Sequence, residues 1–346
     1  MLISMESFVT AMTIADPTPR LSTTEAEIIV RDVFALNVRA TPLPSERDQN
    51  FAVSTQAGQN FVLKIAKCDE PRATLDFQNT GLEHVAKTAS HLAIPRLVRS
   101  TLGAPMTLVL ARDGRTYLVR MLTWLDGTLF VDATPRGREQ LASLGAVLAE
   151  VDRSLQNFEH PAMHRTLHWD VKHADMAFTR TALLTSAQQT LLAPYVRAWQ
   201  EVPWPALRHS VIHGDANDHN VLVRDGRVVG LIDFGDMVHS AMVCDLAIGV
   251  TYAILDQDDP IGAAADIVRA YHARNPLNAA ELNTLYPLTT SRLCMSVCYA
   301  ALNAKAKSGD AYQQVTAAPA WALLVKLATI PAAAVSKRFQ EAAAQS

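Results

Sequence analysis

Residues 211–223 read VIHGDANDHNVLV, and residues 230–236 read GLIDFGD. In the first stretch, two short apolar runs flank a segment crowded with polar side chains. Glycine, asparagine and aspartate are turn formers, so an ordinary turn would explain that segment taken alone. The apolar runs that meet at Asp225-Gly226 also read as two strands joined by a hairpin. Because a hairpin brings its ends together, the polar residues at both ends are candidates for one chemical site.

Three oxygen-bearing side chains surround the predicted hairpin. Asn220 precedes the hairpin and Asp233 follows it, so both can face one hard cation. Magnesium takes oxygen ligands, often one or two side chains together with phosphate oxygens and water. Asp215 would lie beside them, where it could accept a proton from a substrate hydroxyl as that oxygen attacks a γ-phosphate. The spacing therefore predicts Mg²⁺ at Asn220 and Asp233, with Asp215 as the catalytic base.

The order H-G-D-x-x-x-x-N followed by I-D-F-G-D resembles the small-molecule kinases of the aminoglycoside phosphotransferase and choline kinase superfamily. That resemblance implies the two-lobed α+β fold of protein kinases. The small N-terminal lobe would hold an antiparallel sheet with a helix, and the larger C-terminal lobe would be mainly helical. The implied enzyme is a kinase that transfers the γ-phosphate of ATP or GTP to an alcohol group, with Mg²⁺ as cofactor.

The pattern along the chain also divides it in two, because a β-rich front gives way to a helix-rich rear near Asp126-Gly127. We therefore predict a nucleotide-binding lobe over residues 21–125 and a catalytic and substrate lobe over residues 126–346. Residues 1–20 are expected to be loosely ordered. Hairpin signals and apolar periodicity predict the elements. They predict a helix from Ser22 or Thr23, hairpins at 56–58 and 113–114, helices over 72–90, 134–157 and 185–200, and nearly continuous helix beyond 240.

Lys64, in the strand-like stretch FVLKIA, is the candidate phosphate ligand of the front half. An alternating apolar strand leaves this one cation facing inward, and the resemblance implies a lysine on the third strand that contacts the α- and β-phosphates. Such a lysine normally has an acidic partner on the next helix. Here that position falls at Gln78, which can hydrogen-bond the ammonium group but adds no charge. Glu83 is the nearest acid inside this helix and falls on another face by spacing.

The remaining nucleotide contacts are expected in two connecting segments. The segment PSERDQN between the first strands would cover the phosphates, but it contains no glycine and so differs from the Gly-rich loop of protein kinases. Ser45 or Arg47 could touch phosphate there, or the segment is a polar hairpin tip without a ligand. The resemblance implies that the linker MLTWLDG forms the hinge between the lobes, where by position the carbonyl of Thr123 and the amide of Leu125 would meet the nucleotide base. Side chains do not choose the base at such positions, so ATP and GTP both stay open.

Two acids and a histidine lie close to the motifs in sequence. By resemblance, Asp245 in VCDLA accepts hydrogen bonds from backbone N–H groups of the catalytic loop, and His213 packs beneath that loop. Asp236 follows the DFG-like triplet and has three open roles. It binds a second metal ion, binds a cationic substrate, or is simply solvated.

Several short stretches resemble the hydroxylysine kinase branch of the superfamily, namely SERDQNF, VLKI, DFQN, HGDANDHNVLV and IDFGDM. The resemblance spans roughly residues 25–330 and implies an amino acid or amino alcohol with a free hydroxyl as acceptor. The candidates for binding its ammonium group are Asp236, Asp256, Asp258 and Asp259. Arg292 is the candidate for binding its carboxylate. Because a charge embedded in an apolar helix usually has a partner, an acid of the protein itself is the alternative partner of Arg292.

Composition excludes some functions. Charged residues make up 19% of the 346-residue chain, and the formal net charge is −3. Nucleic-acid binders usually carry a clustered positive surface, so no nucleic-acid partner is expected. There is no basic leader and no apolar run of about 18 residues, so we expect a cytoplasmic protein without a membrane span. The four cysteines form no CxxC pair and are expected to be buried small hydrophobes. The sequence does not give the oligomeric state.

Other functions compete with the amino-alcohol kinase. A catalytically silent kinase-like protein that binds a ligand or partner is favoured by Gln78 and by the missing loop glycines, whereas the intact motif residues argue against it. An aminoglycoside kinase would need a strongly acidic acceptor site, and Asp256–Asp259 is the only dense run of acids. A homoserine- or choline-type kinase also fits the resemblance. A protein kinase is disfavoured because helices resume near Ala241 and leave no room for a long activation segment.

Overall fold

The computed structural model describes residues 18–45, 47–306 and 311–346. They form two compact units. The first unit consists of the residues up to 72 together with 97–124, and the second consists of 73–96 together with 125–346. The predicted lobes therefore differ from these units at residues 73–96 and at Leu125, and what each lobe binds stays a prediction. Most of the segment expected to be loosely ordered, 1–20, lies outside the described residues.

Helix α1 (Thr23–Phe34) opens the first unit at the residue that the sequence predicts. The Ser22 amide donates to the Glu25 carboxylate at 2.9 Å, and the Glu25 amide donates to the Ser22 hydroxyl at 3.2 Å. This capping box satisfies backbone donors that the start of a helix leaves unpaired. The apolar face of α1 is buried in one core with the inward side chains of the neighbouring strands.

Six strands form the sheet of the first unit. They are β1 (Val38–Leu43), β2 (Gln49–Thr55), β3 (Asn60–Ile65), β4 (Leu97–Val98), β5 (Thr107–Leu110) and β6 (Thr116–Thr123). The strand order is β1-β2-β3-β6-β4, β5 also pairs with β6, and every pairing is antiparallel. Both predicted hairpins are confirmed, since β2 leads into β3 and β5 into β6. On β3, Lys64 lies opposite Asn50 and Arg120.

Helices dominate the second unit, as predicted. They are α2 (Arg72–Thr88), α3 (Arg138–Leu155), α4 (Asp175–Phe178), α5 (Ser186–Gln200), α6 (Val243–Ala253), α7 (Pro260–His272), α8 (Ala279–Ala306), α9 (Ala311–Leu327) and α10 (Ala332–Ala344). Only the start of α3 is clearly wrong in the prediction. A proline disfavours helical geometry in the residue before it, and Pro135 therefore opposes a helix from Thr134. The extended residue Gly137 precedes the first turn instead.

Five short strands of the second unit carry the motif segments. They are β7 (Thr128–Leu129), β8 (His209–Ile212), β9 (Val221–Arg224), β10 (Arg227–Leu231) and β11 (Val238–Ala241). Strands β9 and β10 form the predicted hairpin, and its two turn residues, Asp225 and Gly226, both have positive φ, as the favoured two-residue turn requires. Strand β8 pairs with β11, and β9 pairs with β10. The HGD loop (213–220) therefore begins beside the end of the DFG loop (232–237) and ends beside its beginning.

Two further expectations concern residues away from these loops. Cys244, Cys294 and Cys298 are buried as predicted, but the prediction is wrong for Cys68, which is exposed because it lies in the connection between β3 and α2. Within the described part of the chain, no single helix is long and apolar enough to cross a membrane. The segments Ala317–Leu327 and Ala332–Ala344 have the length and composition of a membrane span only when they are taken together, and they are bent by 97° at the break between them.

Candidate active site

Hydrogen bonds tie the HGD loop to the DFG loop. The amide of Ile232 donates to the carbonyl of Asn220 at 2.8 Å, and Nε2 of His213 lies 3.0 Å from the carbonyl of Ile232. Nδ1 of the same ring accepts from the amide of Asp215 at 3.3 Å. Since Nδ1 accepts, the network assigns the ring proton to Nε2. The His213 ring is fully buried and lies beneath the loop, which confirms the packing role predicted for it.

Asp245 in the first turn of α6 braces the start of the HGD loop. Its carboxylate accepts from the amide of Gly214 at 2.8 Å and from the amide of His213 at 3.3 Å. The role that the resemblance implies for Asp245 is therefore confirmed. Asp152 on α3 is also fully buried, and burial, followed by the charge of Asp245, raises the pKa of Asp152 well above its usual range. The neutral form of Asp152 is thereby favoured.

Asp215 is held through both of its carboxylate oxygens. Oδ1 accepts from Nη2 of Arg292 at 2.8 Å, and Oδ2 accepts from the amide groups of Asn217 and Asn220, each at 2.9 Å. The side chain is 21% exposed, so substrate can still reach it. Burial raises the pKa of Asp215, the positive charge of Arg292 opposes that rise, and the charge of Asp236 adds to it. The carboxylate thus has one orientation, fixed by three side chains.

The two loops approach each other closely at Gly214. Its φ is +80°, and a Cβ on it would lie 2.4 Å from the carbonyl oxygen of Asp236. Only glycine fits both the backbone angle and the contact. The turn that follows Asp233 carries the side chain of Asp236 inward, where it is 8% exposed. The solvated role left open for Asp236 is therefore wrong, and its metal and substrate roles stay predictions.

The residues predicted to hold Mg²⁺ have the donor groups that this ion prefers. Nδ2 of Asn220 donates to both the carbonyl and Oδ2 of Asp215, so its amide oxygen points away from Asp215. Asp233 is exposed at the end of β10 with φ +55°, and its Oδ1 accepts from the amide of Gly235 at 3.1 Å. One amide oxygen and one carboxylate from adjacent loops fit a hard cation that also takes phosphate and water oxygens.

The predicted nucleotide residues belong to both compact units. Lys64 is 6% exposed on β3, Ser45 and Arg47 lie between β1 and β2, and Thr123 ends β6, all in the first unit. Glu46 lies outside the described residues. Leu125 and Gln78 belong to the second unit, where Nε2 of Gln78 donates to the carbonyl of Gly235 in the DFG loop at 2.9 Å. Their contacts with a nucleotide stay predictions.

A cavity of about 790 Å³ lies against the HGD loop. Asp218 and His219 of that loop line it, together with the acidic run Asp256–Asp259. The buried guanidinium of Arg136 lies 3.5 Å from the Asp218 carboxylate. Nε of Arg136 and Oδ1 of Asp218 are both buried without a hydrogen-bond partner. The cavity wall therefore has polar groups that the protein itself does not fully satisfy.

Sequence reasoning missed several residues of this site. Asn217 lies inside the quoted motif, and its position two residues after Asp215 was a usable signal for a hydrogen bond. No local signal marks Arg136, which meets Asp218 across 82 residues of chain. Of the two partners left open for Arg292, the structure shows an acid of the protein, Asp215, while its predicted contact with a substrate carboxylate stays a prediction.

The comparison with known families agrees with this geometry. The family described as "Phosphotransferase enzyme family" matches residues 39–282, which is most of the chain. The chain belongs to this family. The match includes the HGD loop, the DFG loop and Lys64, so the resemblance predicted from those motifs is confirmed.

Two curated relatives match nearly the whole chain. A mouse hydroxylysine kinase is 28% identical over 362 aligned residues and covers 95% of each protein. A zebrafish (Danio rerio) hydroxylysine kinase is 29% identical and covers 84% of this chain and 86% of its own. The predicted similarity to the hydroxylysine kinase branch is therefore confirmed.

Solved structures show the fold of this phosphotransferase. A microcompartment-associated aminopropanol kinase superposes with a TM-score of 0.68 at 19% identity and covers 92% of this chain and 100% of its own. An amicoumacin kinase superposes with a TM-score of 0.64 at 15% identity and covers 85% of this chain and 89% of its own. The predicted two-lobed, kinase-like α+β fold is confirmed by these neighbours.

Proposed function

We propose that this phosphotransferase is a kinase that transfers the γ-phosphate of ATP or GTP to a hydroxyl group of an amino acid or amino alcohol similar to hydroxylysine. One observation carries the proposal. Asp215 lies in the family motif with its carboxylate held by Arg292, Asn217 and Asn220, yet it keeps 21% exposure. The similarity to hydroxylysine kinases over most of the chain supports the acceptor class.

The transfer follows from the position of Asp215. The acceptor oxygen forms a bond to the γ-phosphorus, while the bond from that phosphorus to the β–γ bridging oxygen breaks and its electron pair leaves with the nucleoside diphosphate. The hydroxyl proton moves to the carboxylate of Asp215. Asn220 and Asp233 would hold Mg²⁺, which supplies charge stabilisation at the phosphate oxygens when bound.

The first unit would supply the remaining contacts with the phosphates. Lys64 is the proposed contact of the α- and β-phosphates, and its position in the family motif and its burial on β3 support that role. Ser45 and Arg47 are the proposed contacts of the covering loop. Gln78 takes the position of the usual acid, so it would contribute hydrogen bonding without charge.

The cavity beside the HGD loop would receive the amine of the acceptor. Asp256 and Asp258 are exposed carboxylates among its lining residues, while Oδ1 of Asp259 accepts from the amide of Gly262 and caps α7. A protonated amine between these carboxylates gains charge-assisted hydrogen bonds. Asp236, close to Asp215, is the alternative partner for an amine next to the reacting hydroxyl.

The nucleotide base would meet the backbone at the end of β6. The carbonyl of Thr123 and the amide of Leu125 are the groups proposed for it. Every residue type except proline carries the same backbone groups, so the side chains here do not choose between the purines, and both ATP and GTP belong in the test.

The test is an acceptor screen with radiolabelled ATP and GTP in the presence and absence of Mg²⁺. The panel contains hydroxylysine, 1-aminopropan-2-ol, homoserine, choline and an aminoglycoside, with lysine as the matched control that lacks only the hydroxyl of hydroxylysine. We expect Mg²⁺-dependent transfer to hydroxylysine or 1-aminopropan-2-ol and none to lysine. Preferred transfer to the aminoglycoside would overturn the acceptor class. Nucleotide binding without transfer to any acceptor would instead support the catalytically silent alternative, which Gln78 favours.

A further inference from the structure

Arg292 lies in the middle of α8 and is the largest fully buried side chain of the described residues, at 2% exposure. A buried guanidinium is very costly unless its charge is paired and its N–H groups are hydrogen-bonded. A fold that needed only apolar packing at this position would place a leucine or methionine there. The presence of an arginine therefore needs an explanation in terms of what it contacts.

Each nitrogen of Arg292 has a partner in the second unit. Nε donates to the hydroxyl of Tyr252 at 3.2 Å, Nη1 donates to the carbonyl of Trp169 at 2.6 Å, and Nη2 donates to Oδ1 of Asp215 at 2.8 Å. The guanidinium carbon also lies 4.6 Å from the centre of the Trp169 ring and 5.5 Å from that of Tyr252. Hydrogen bonds and aromatic faces together fix the plane of the guanidinium.

The Asp215 carboxylate is an acid that this fixed group meets directly, with Nη2 of Arg292 2.8 Å from Oδ1. Arg292 takes Oδ1, while the two asparagine amides take Oδ2, so rotation of the carboxylate about its Cβ–Cγ bond would break all three contacts. A base must meet the acceptor hydroxyl within hydrogen-bond distance and at the correct angle. A misplacement of about 1 Å in such a group costs roughly a hundredfold in rate.

We infer that Arg292 is a positioning residue for phosphotransfer, which acts by fixing the orientation of the Asp215 carboxylate from the buried side. This inference rests on the proposed function of Asp215 as the base. It differs from the role predicted from sequence, in which Arg292 binds the carboxylate of the acceptor. In the inferred role, the loss of Arg292 slows transfer to every acceptor, whether or not that acceptor has a carboxylate.

The first experiment compares the wild-type protein with Arg292→Met and Arg292→Lys on two acceptors. Hydroxylysine carries a carboxylate, and 1,5-diaminopentan-2-ol is the same molecule without it. We expect Arg292→Met to lower kcat for both acceptors by the same factor, about a hundredfold, with little change in either KM. Arg292→Lys recovers part of that loss, because the ammonium group restores the charge but not the planar fork. A rise in KM for hydroxylysine alone would overturn the inference in favour of carboxylate binding, and an unchanged kcat would overturn it outright.

Two further variants separate positioning from a loss of folded protein. Arg208→Met removes another arginine of the second unit, one that pairs with Glu281 at 2.7 Å, and should lower stability without lowering kcat per folded molecule. Tyr252→Phe removes only the hydroxyl that accepts from Nε of Arg292. It should lower kcat by a smaller factor than Arg292→Met and again equally for both acceptors. If Arg208→Met and Arg292→Met lower kcat equally per folded molecule, Arg292 has no positioning role.

The second experiment needs no acceptor. In protein labelled with ¹³C at the aspartate carboxyl groups, the signal of Asp215 is the one lost in Asp215→Asn. We expect that signal to move in Arg292→Met and to stay in place in Arg208→Met. An unmoved signal in Arg292→Met would contradict the inference even if the kinase reaction is real. If wild-type protein phosphorylates no acceptor, the proposed function fails, while this signal still decides whether Arg292 holds Asp215.

Discussion

The HGD loop and the DFG loop lie side by side, yet Asp215 of the first and Asp233 of the second differ in exposure and in the contacts of their carboxylates. Asp215 in the HGD loop is 21% exposed and is held through both oxygens by side chains from its own loop and from α8. Asp233 in the DFG loop is exposed, and its Oδ1 accepts from the amide of Gly235 only two residues later. Three side chains, one of them from distant α8, hold the Asp215 carboxylate, whereas the Asp233 carboxylate is exposed and accepts from an amide of its own turn.

The difference matches the two tasks that the proposed reaction assigns. A base must already have the correct orientation when the acceptor hydroxyl arrives, so contacts within the protein are an advantage. A metal ligand must offer its oxygen outward to an ion that also takes phosphate and water oxygens. The comparison predicts that changes to Asp215 affect turnover, whereas changes to Asp233 affect how the nucleotide and its metal bind.

The largest effect is expected from Asp215→Asn. An amide is not a base at this position, so kcat should fall by about 10²–10⁴-fold. Binding of the nucleotide with Mg²⁺ should survive, because Asp215 is not one of the proposed metal ligands. Single-turnover phosphate transfer and calorimetric nucleotide binding measure the two quantities on the same sample. Near wild-type transfer by this variant would remove Asp215 from the role of base.

Gly214→Ala tests the contact between the loops. The substitution adds a Cβ where φ is +80° and where the carbonyl oxygen of Asp236 would lie only 2.4 Å away. The backbone angle alone costs about 1–2 kcal/mol, and the contact forces the loops apart.

Gly226→Ala is the matched control, because φ is +72° there and nothing lies within 4 Å of the added Cβ. The thermal unfolding temperature and kcat should both fall further in Gly214→Ala than in Gly226→Ala. Equal effects in the two variants would mean that the approach of the loops has no importance beyond backbone strain.

The smallest effect is expected beneath the HGD loop, from Asp152→Asn. Burial raises the pKa of Asp152 in the folded protein, so the folded state binds more protons than the unfolded state above pH about 4. The free energy of unfolding of the wild type therefore falls as pH rises above about 4, because the folded state must release the proton of buried Asp152. The variant has no such proton to release. Urea unfolding from pH 4.5 to 8 should show the free energy of unfolding of the variant rising relative to that of the wild type as pH rises.

A constant difference between Asp152→Asn and the wild type across that pH range would show that Asp152 does not titrate differently in the folded and unfolded states. The asparagine keeps an oxygen that can accept from the Tyr271 hydroxyl, so loss of that hydrogen bond does not confuse the comparison.

Much of the site followed from the sequence because its chemistry is local. A short hairpin separates Asp215 and Asn220 from Asp233, and the antiparallel pairing of β9 and β10 is enough to bring the two loops together. The brace at Asp245 followed from the family resemblance. The helix that begins after Ser22 followed from a hydroxyl side chain that caps its first turn, and the helix over 185–200 was also predicted.

The remaining features depend on packing between distant segments, which spacing does not encode. Arg292 meets Asp215 across 77 residues of chain, so the sequence indicated a partnered charge but not which partner. The sequence left three roles open for Asp236, and only the turn geometry and its burial exclude the solvated one. Arg136 had no local signal at all, because its contacts are to Asp218 and to carbonyls at the end of α6.

The most direct test of the account is the Mg²⁺ dependence of nucleotide binding in Asp233→Asn and Asp215→Asn. Calorimetry with a non-hydrolysable ATP analogue, with and without Mg²⁺, gives the affinity in each case. We expect Mg²⁺ to tighten binding to the wild type and to Asp215→Asn by at least about tenfold, which is ~1.4 kcal/mol. In Asp233→Asn this gain should disappear. Full Mg²⁺ dependence in Asp233→Asn, or its loss in Asp215→Asn alone, would contradict the assignment of base and metal ligand.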